Sequence, residues 1–320
     1  MKFPKRKLAI VGVGHVGSAV LNCALAFNLA ADIALIDILE EKAMGEALDA
    51  SHGTPYTFSP SAYVHAGGYE ECKDADVIIV AAGPSILPGA NLDRLLLAES
   101  NVKTIHDVMN SITKYTRDAI IIMITNPLDI TTYCAQNLFG YPKHKILGTG
   151  TTLETARLRR ILGNKYNVDP KNVHGYILGE HGNSAFPAWS LVSVAGIAAD
   201  KLDSYFQPEE PLDYEKTGAA VVNVAYDVLN YKGCTNSGIA MVACRIARAV
   251  FYNENSIFPV STTLTGEYGL SGIALSLPCV VNSEGVRQRL EVPLNETEIG
   301  KLKASFENLG QVLKSVGVKN

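Results

Sequence analysis

The sequence lacks the paired cysteines that a disulfide scaffold or a structural zinc site requires. Its six cysteines lie far apart in the chain and show no Cys-x-x-Cys spacing. Isolated cysteines of this kind are typical of buried thiols in a reducing compartment. We therefore expect a cytoplasmic location, free thiols and no bound metal ion.

The sequence also lacks a long apolar run and an excess of positive charge. No apolar run approaches the roughly 20 residues that a membrane-spanning helix needs. The basic N-terminus followed by LAIVGVG superficially resembles a secretory signal, but His15 and Asn22 interrupt its apolar run. A net charge of −4 argues against a nucleic acid or an anionic membrane as a partner.

A glycine-rich motif near the N-terminus predicts a dinucleotide site. Lys7–Val11 is typical of a short buried strand and Val16–Leu29 of a helix, with the pattern GxGxxG on the turn between them. The first glycine permits the tight turn, the second lets the backbone approach a pyrophosphate, and the third lets helix and strand pack closely. The alternative is a purely structural turn. The cofactor residues predicted here are Gly12, Gly14, Val16 and Gly17.

The next predicted strand selects the cofactor. Ile33–Ile36 ends at Asp37, which stands twenty residues after Gly17. A carboxylate at this position accepts hydrogen bonds from a ribose hydroxyl and repels a 2′-phosphate, so we expect NAD rather than NADP.

Short apolar runs that do not alternate with polar residues predict a parallel sheet covered on both faces. They span Ala62–His65, Val77–Ala81 and Ala119–Thr125, and helical patterns separate them. We therefore expect an α/β fold, with a doubly wound parallel (Rossmann) sheet over residues 1–147. Ligands of such sheets bind beyond the carboxyl ends of the strands, where we add Ala82 and Gly83 to the cofactor site.

Two loops at that edge are candidates for the substrate site. Gly83–Asp93 is long, rich in glycine and proline, and ends at Arg94. It is either a lid that closes over a substrate or a solvated surface loop. Asn126 directly follows a predicted strand and precedes a proline, so its amide either faces the cofactor or caps a helix.

The second half of the chain, residues 148–320, predicts a mixed α+β substrate domain packed on the first. Helices are expected over Thr149–Leu162, Tyr214–Tyr231, Asn236–Phe251 and Glu296–Val316. Antiparallel strands are expected over Ile257–Leu264, Ala274–Val281 and Val286–Val292.

One histidine of the second half is a candidate for acid/base catalysis. The stretch Gly179–Trp189, GEHGNSAFPAW, puts His181 just after the apolar segment Val173–Leu178. An imidazole titrates near neutral pH, so a histidine that a rigid strand end presents to a cleft can donate and accept a proton. The alternative is a surface or buried structural histidine, since the sequence contains seven.

Glu154 and Arg157 lie three residues apart and therefore share one face of their predicted helix. On an exposed face they form a weak ion pair. In a buried cleft, Arg157 becomes a two-pronged ligand for a carboxylate. Glu154 can then orient His181 and stabilise its charge.

Together these motifs resemble the L-lactate dehydrogenases and their close relatives, the L-2-hydroxyisocaproate dehydrogenases, of the lactate/malate dehydrogenase superfamily. The resemblance is collinear over essentially all 320 residues. It is carried by the turn Gly12–Gly17 and by IALIDILEEKAMGEALDASHG (33–53), TNPLD (125–129), GTGTTLETARLRRIL (148–162), VHGYILGEHGNSAFPAWS (173–190) and KGCTNSG (232–238).

The resemblance implies a role for each of these side chains. His181 is the acid/base, Arg157 pairs with the substrate carboxylate, and Arg94 polarises the substrate carbonyl. Asn126 lies near the nicotinamide and the reacting oxygen, and Thr235 lines the substrate pocket. In the implied reaction NADH gives a hydride to the 2-oxo carbon while His181 donates a proton to the oxygen.

Glu154 departs from the family, which usually has aspartate at the position paired with the histidine. A longer side chain must bend or withdraw to hold the same imidazole.

The lid of this sequence carries no cation for a second substrate carboxylate. Lactate dehydrogenases have glutamine and malate dehydrogenases arginine at a lid position that falls here on Ile86, counted back from Pro88-Gly89, or on Pro88, counted back from Arg94. No cation stands in residues 82–93, which argues against a malate dehydrogenase. Pyruvate/L-lactate is the main expectation. The longer apolar lid, and GEHGNS where lactate enzymes commonly have GEHGDS, favour bulkier branched 2-oxo acids as the alternative.

Arg159 and His174 match the positions at which allosteric bacterial lactate dehydrogenases bind fructose 1,6-bisphosphate at a subunit interface. A basic pair that faces its symmetry mate suits a bisphosphate. The alternative is two solvent-exposed basic residues. We expect a homo-oligomer, either a dimer or a tetramer.

Two other classes share the glycine motif. A non-catalytic NAD-binding protein would have no reason to keep Arg94, Arg157 and His181 together. An NAD-dependent glycosidase of the related superfamily would need Cys and His ligands for a metal at a spacing that this sequence lacks. The dehydrogenase interpretation alone uses cofactor motif, acid/base and carboxylate ligand together.

Overall fold

The computed structural model describes residues 6–57, 62–84 and 94–318, without the side chains of residues 94–97. Its strands are β1 (Lys7–Val11), β2 (Asp32–Ile36), β3 (Tyr63–Ala66), β4 (Val77–Val80), β5 (Ile120–Met123), β6 (Ile146–Gly148), β7 (Val173–His174), β8 (Ile177–Leu178), β9 (Phe186–Pro187), β10 (Ser193–Val194), β11 (Ile197–Ala198), β12 (Ser256–Thr265), β13 (Ser271–Asn282) and β14 (Gly285–Arg289). Its α-helices are α1 (His15–Ala26), α2 (Glu40–Gly53), α3 (Arg94–Ile112), α4 (Leu128–Leu138), α5 (Thr152–Tyr166), α6 (Leu202–Phe206), α7 (Tyr214–Lys232), α8 (Ser237–Phe251) and α9 (Glu296–Ser315).

The first half of the chain forms the doubly wound parallel sheet that its apolar runs predict. Its strands lie in the order β3-β2-β1-β4-β5-β6 and are all parallel. β4 and β5 have the sequences VIIV and IIIM and are buried at every position, because helices cover both faces of the sheet. The order reverses between β1 and β4, so a ligand crevice is expected beyond the carboxyl ends of these two strands.

Three antiparallel strands of the second half extend the same sheet. β12 pairs with β6 through Ser261 and Gly148, and β13 and β14 follow it. The full order is β14-β13-β12-β6-β5-β4-β1-β2-β3. The sequence predicts these three strands but not their place beside β6, because a pairing between residues far apart in the chain leaves no local pattern.

Helices pack on both faces of the sheet around separate hydrophobic cores. α1, α2 and α8 cover one face, where Val20, Ala43 and Ile246 are buried, and α3, α4 and α9 cover the other. A third cluster joins α5 and α7 to the short strands of the second half. Within the described ranges, no helix has both the length and the apolar character needed to cross a membrane.

The apolar segment predicted before His181 folds as two short strands rather than one. β7 pairs with β10, and β8 pairs with β9. The chain turns between β7 and β8 at Gly175, whose φ is +149° and where a Cβ would lie 2.8 Å from the Val192 side chain. Gly179 then bridges to Ser276 of β13. His181 is therefore presented by a loop that is anchored to the main sheet.

Candidate active site

The glycine-rich turn joins β1 to α1 at the carboxyl edge of the sheet. Gly12 has a φ of +90°, and a Cβ there would lie 2.6 Å from the backbone of Ala82. A Cβ on Gly17 would collide with the carbonyl oxygen of Gly12, whereas a Cβ on Gly14 would meet only open space. α1 begins with neither a side-chain cap nor an acidic residue in its first turn. Its first amide groups therefore suit the pyrophosphate of a dinucleotide. Val16 is half-buried and packs against the core behind the turn.

Asp37 directly follows β2 and holds the glycine turn. Its Oδ2 accepts a hydrogen bond of 2.8 Å from the Val13 amide, and its Oδ1 accepts one of 3.0 Å from the Leu39 amide. Each carboxylate oxygen can accept a further bond, so two ribose hydroxyls can still be held. The bond to Val13 is a second role that the sequence did not predict.

The segment after β4 and the turn after β5 are tied together by two side chains. The Thr125 hydroxyl donates to the Ala82 carbonyl at 2.7 Å, and the fully buried Asn101 amide donates to the Asn126 carbonyl at 2.7 Å. A Cβ on Gly83 would collide with Asn101 Oδ1. Asn101 therefore fixes the position of the predicted cofactor residues Gly83 and Asn126, although no local sequence signal identifies it.

Buried polar atoms at this edge lack partners within the described part of the chain. They include Asn101 Oδ1 and Thr149 Oγ1, the latter in the residue that follows β6. Buried polar groups are nearly always hydrogen-bonded, so these atoms suit a polar ligand. Together with the glycine turn and Asp37, they fit a bound NAD.

The predicted lid lies largely outside the described residues. Ile86 and Pro88 are not described, and Arg94 is described only as the first residue of α3, without its side chain. The roles expected for Ile86 and Arg94 therefore remain predictions.

The structure brings together the three side chains that the sequence nominates for proton transfer and carboxylate binding. Glu154 Oε1 lies 3.0 Å from His181 Nδ1 and 3.6 Å from Arg157 Nη1. The Glu154 side chain is 7% exposed, that of Arg157 14% and that of His181 21%. Glu154 and Arg157 thus lie on a largely buried face of α5. Because Nδ1 faces Glu154, the other ring nitrogen of His181, Nε2, is the one available to a substrate.

The contact between Glu154 and His181 is close but not well aligned. His181 Nδ1 has no hydrogen-bond partner of good geometry among the described residues, although it lies 3.0 Å from the carboxylate. Glu154 Oε2 is buried without a partner as well. Glu154 therefore keeps a charge contact with the imidazole without a well-aligned hydrogen bond.

The charges of this pair stabilise each other. Burial lowers the pKa of His181, but the neighbouring Glu154 and Asp129 carboxylates outweigh it and raise that pKa to about 9. Burial raises the pKa of Glu154, but His181 and Arg157 outweigh it and the net change is downward. A protonated imidazole beside an ionised carboxylate is the resting state at neutral pH.

A second carboxylate behind His181 was not predicted from the sequence. Asp129 in α4 is 2% exposed and accepts a 2.7 Å hydrogen bond from the His181 backbone amide. The only local signal was an acid among apolar and small polar residues in LDITTYCAQ. Its partners come from distant parts of the chain, so its position depends on the fold.

Thr235 occupies a half-buried position in the turn between α7 and α8. The next residue, Asn236, reaches the His15 carbonyl at 3.5 Å, and a Cβ on Gly238 would lie 3.0 Å from Leu153 of α5. This turn therefore lies between the glycine turn and the helix that carries Glu154. The location is compatible with the substrate pocket expected for Thr235.

The two residues of the predicted anion site lie on different elements. Arg159 is half-buried on α5 near Tyr176, and its Nε has no partner among the described residues. His174 is exposed on β7. The structure records no hydrogen bond or ion pair that joins these two residues to each other.

No group of three or more His, Cys, Asp or Glu side chains in the described ranges has the arrangement of a metal site. The arrangement that is present, with a buried acid, an imidazole and a guanidinium beside a dinucleotide crevice, suits proton transfer to a small carboxylic acid.

Family models cover nearly the whole chain. The lactate/malate dehydrogenase NAD-binding domain matches residues 6–148, and the lactate/malate dehydrogenase α/β C-terminal domain matches residues 151–318.

Curated relatives and solved structures agree with these matches. L-lactate dehydrogenase 2 of Clostridium acetobutylicum is 52% identical over 99% of both chains, and the L-lactate dehydrogenase of Selenomonas ruminantium is 50% identical over 98% of this chain and 99% of its own. The ligand-bound crystal structure of the minor L-lactate dehydrogenase from Enterococcus mundtii superposes with a TM-score of 0.92, at 36% identity over 98% of both chains. A lactate dehydrogenase from a Medee basin deep-sea metagenome library superposes with a TM-score of 0.91, at 31% identity over 98% of this chain and 100% of its own.

The position of Asp37 leads to a test of cofactor choice. Asp37→Ala should weaken NAD binding about tenfold or more and narrow the preference over NADP, because it removes acceptors for the ribose and the charge that repels a 2′-phosphate. Asp37→Asn keeps an acceptor for the Val13 amide and should chiefly change the NAD/NADP ratio. Dissociation constants for both reduced cofactors, from fluorescence titration, measure these effects.

Asp32→Ala is the matched control, since Asp32 opens the same strand at its opposite end and its carboxylate bonds to His65. A cofactor ratio unchanged in both Asp37 variants would contradict the placement.

Proposed function

Since the chain belongs to the lactate/malate dehydrogenase family, we propose that it is an L-lactate dehydrogenase that interconverts pyruvate and L-lactate. Members of this family are NAD-dependent oxidoreductases that act on a CH–OH group, and so is this chain. The observation that carries the proposal is the contact of Glu154 with both His181 and Arg157, at 3.0 and 3.6 Å. We also propose the division into a nucleotide-binding domain, residues 1–147, and a substrate domain, residues 148–320.

The residues of the chain have distinct parts in this reaction. The Arg157 guanidinium binds the substrate carboxylate through paired N–H groups. Protonated His181 donates its Nε2 proton to the substrate oxygen, while Glu154 stabilises the imidazolium. NADH, when bound, supplies the hydride for the 2-oxo carbon. Arg94 adds a second positive charge at the carbonyl oxygen, Asn126 holds the reacting end of the site, and Thr235 and Ile86 shape the pocket.

The number of cations available to the substrate supports a monocarboxylic acid. Among the described side chains, Arg157 is the guanidinium that lies beside Glu154 and His181, and it can bind one substrate carboxylate. The sequence of the lid offers no cation for a second carboxylate in residues 82–93. The similarity to curated L-lactate dehydrogenases at 52% and 50% identity supports pyruvate over the bulkier branched 2-oxo acids.

NADH oxidation against a substrate panel tests the proposal. We expect the highest kcat/KM with pyruvate, a lower value with 2-oxobutyrate, and the lowest values with 2-oxoisocaproate, phenylpyruvate and oxaloacetate. His181→Asn should fold and bind NADH but lose turnover by at least about 10²–10⁴-fold, since it lacks the proton donor. Full activity in that variant would contradict the role proposed for His181, and a preference for a branched 2-oxo acid would contradict pyruvate as the substrate.

The raised pKa of His181 sets the pH dependence of the two directions. Reduction needs the protonated imidazole, which is retained until the pH rises through about 9. We expect kcat/KM for pyruvate to be level near neutrality and to fall above that pH, while lactate oxidation rises over the same interval. Glu154→Gln removes the leading charge that raises the pKa, so its falling limb should move to lower pH. Glu154→Asp, which keeps the charge, is the control and should stay nearer the wild-type profile.

We further propose a cytoplasmic homo-oligomer, a dimer or tetramer. Supporting it is a strongly exposed apolar group at the start of α2 and on its outer face, formed by Ile38, Leu39, Met44 and Leu48. An apolar surface of this kind marks protein–protein contacts. In such an assembly, Arg159 and His174 can bind fructose 1,6-bisphosphate at a subunit interface.

Sedimentation velocity and pyruvate kinetics, with and without fructose 1,6-bisphosphate, test the assembly and its regulation. We expect the sugar bisphosphate to lower KM or favour the larger assembly, and Arg159→Gln and His174→Gln each to abolish this response without loss of basal turnover. Arg160→Gln, an exposed neighbour on α5, should respond as the wild type does. No effect of the bisphosphate on either measurement would remove the regulatory proposal.

A further inference from the structure

Asp129 is a buried acid that the reaction as described does not use. It lies in the first turn of α4, three residues after Asn126, and its side chain has almost no contact with solvent. Its Oδ2 accepts a 2.7 Å hydrogen bond from the His181 backbone amide. Its Oδ1 accepts a 2.5 Å hydrogen bond from the Ser261 hydroxyl of β12.

Burial of a carboxylate is unfavourable unless its charge is compensated. The recorded partners of Asp129 are a backbone amide and a hydroxyl, both neutral. The amino end of α4 contributes a favourable dipole, since Asp129 lies in its first turn. The nearby cation that influences its charge is His181. An ionised Asp129 and a protonated His181 therefore favour each other.

The two hydrogen bonds join elements from both halves of the molecule. α4 follows the turn that carries Asn126 and belongs to the nucleotide-binding half, whereas His181 and Ser261 belong to the second half. A short run of backbone thus links Asn126, expected beside the nicotinamide, to the amide of the acid/base residue. Asp129 therefore contributes directly to the separation of these two functional groups, in addition to the bridge between Gly179 and Ser276 that anchors the His181 loop to the sheet.

We propose that Asp129 is a positioning residue for proton transfer, which fixes the backbone of His181 relative to Asn126 and supplies, with Glu154, a second negative charge that keeps the imidazole protonated before reduction. This inference rests on the proposed function. It assigns different tasks to the two acids. Glu154 acts on the ring, 3.0 Å from Nδ1, and Asp129 acts on the main chain and through its charge.

The charged groups around His181 lie on three elements. Glu154 and Arg157 lie on α5 and Asp129 lies on α4, while Glu180 is its neighbour in the loop. The two acids Glu154 and Asp129 raise the pKa of His181, and Arg157 lowers it. Burial raises the pKa of Asp129 itself to about 6, against the lowering effects of Ser261 and His181. Asp129 is therefore ionised at neutral pH and loses its charge as the pH falls through about 6.

Two substitutions at Asp129 separate its hydrogen bond from its charge. Asp129→Asn keeps an oxygen for the His181 amide and can accept from Ser261 or donate to it, but carries no charge. Asp129→Ala removes both. The matched control is Glu180→Gln, an acid-to-amide change beside His181, because the Glu180 carboxylate bonds to Ser184 and Asn308 instead.

The pH profile of pyruvate reduction and the NMR titration of the His181 imidazole give the two readouts. In Asp129→Asn we expect turnover near pH 6.5 within a few-fold of wild type, and both the falling limb and the NMR midpoint about one pH unit lower. In Asp129→Ala we expect kcat to fall about tenfold or more at every pH, since the imidazole is misplaced. NADH affinity should be unchanged in both, and Glu180→Gln should move the midpoint much less.

Several results would overturn the inference. One is an NMR midpoint in Asp129→Asn equal to that of wild type together with normal kcat in Asp129→Ala. Another is an equal shift in Glu180→Gln, which would indicate a general field of acids. Thermal unfolding at pH 7 shows whether the variants are folded. The melting temperature of Asp129→Asn should not fall, because a buried charge has been removed.

The NMR titration distinguishes failure of this inference from failure of the proposed function. If the wild-type protein oxidised NADH with none of the 2-oxo acids, the proposed function would fail while the titration still measured the effect of Asp129 on His181. If wild type were active and the Asp129 variants matched it in both readouts, only the positioning role would be lost.

Discussion

The site depends on one buried carboxylate that faces two cations. Glu154 Oε1 contacts His181 at 3.0 Å and Arg157 at 3.6 Å, and its side chain is almost fully buried. Burial of a carboxylate is unfavourable unless opposite charges or hydrogen bonds compensate it, and here two cations do so. The same atom therefore influences both the proposed proton donor, His181, and the proposed carboxylate ligand, Arg157, and it couples their charges. Glutamate reaches both groups, although its direction toward the imidazole is imperfect.

The continuous sheet explains how residues from both halves meet. The glycine turn, Asp37 and Asn126 all follow parallel strands, whose carboxyl ends share one edge. The pairing of β12 with β6 places Ser261 beside the same edge, where it contacts Asp129. The bridge between Gly179 and Ser276 then brings the His181 loop onto the sheet. One set of strands thus positions both the glycine turn and the His181 loop.

Local patterns were sufficient for the parts of the fold and site that depend on neighbouring residues. Apolar runs predicted the parallel strands, and the spacing of Gly12, Gly14 and Gly17 predicted the turn into α1. The face shared by Glu154 and Arg157 followed from their separation of three residues.

Groups whose partners are far away in the chain could not be predicted in this way. Asn101 donates a hydrogen bond to the Asn126 carbonyl, and Asp129 accepts one from the His181 amide. Both bonds exist only after the sheet has formed. The break at Gly175 was missed because its apolar neighbours resemble one continuous strand. The join between β6 and β12 was missed because register between distant strands has no signature in either one.

The nine-stranded sheet also limits how this molecule can move. Because β6 of the first half is hydrogen-bonded to β12 of the second half, the two halves cannot swing apart as rigid bodies about a flexible hinge without breaking that pairing. A motion that leaves this pairing intact is therefore confined to segments outside the nine-stranded sheet.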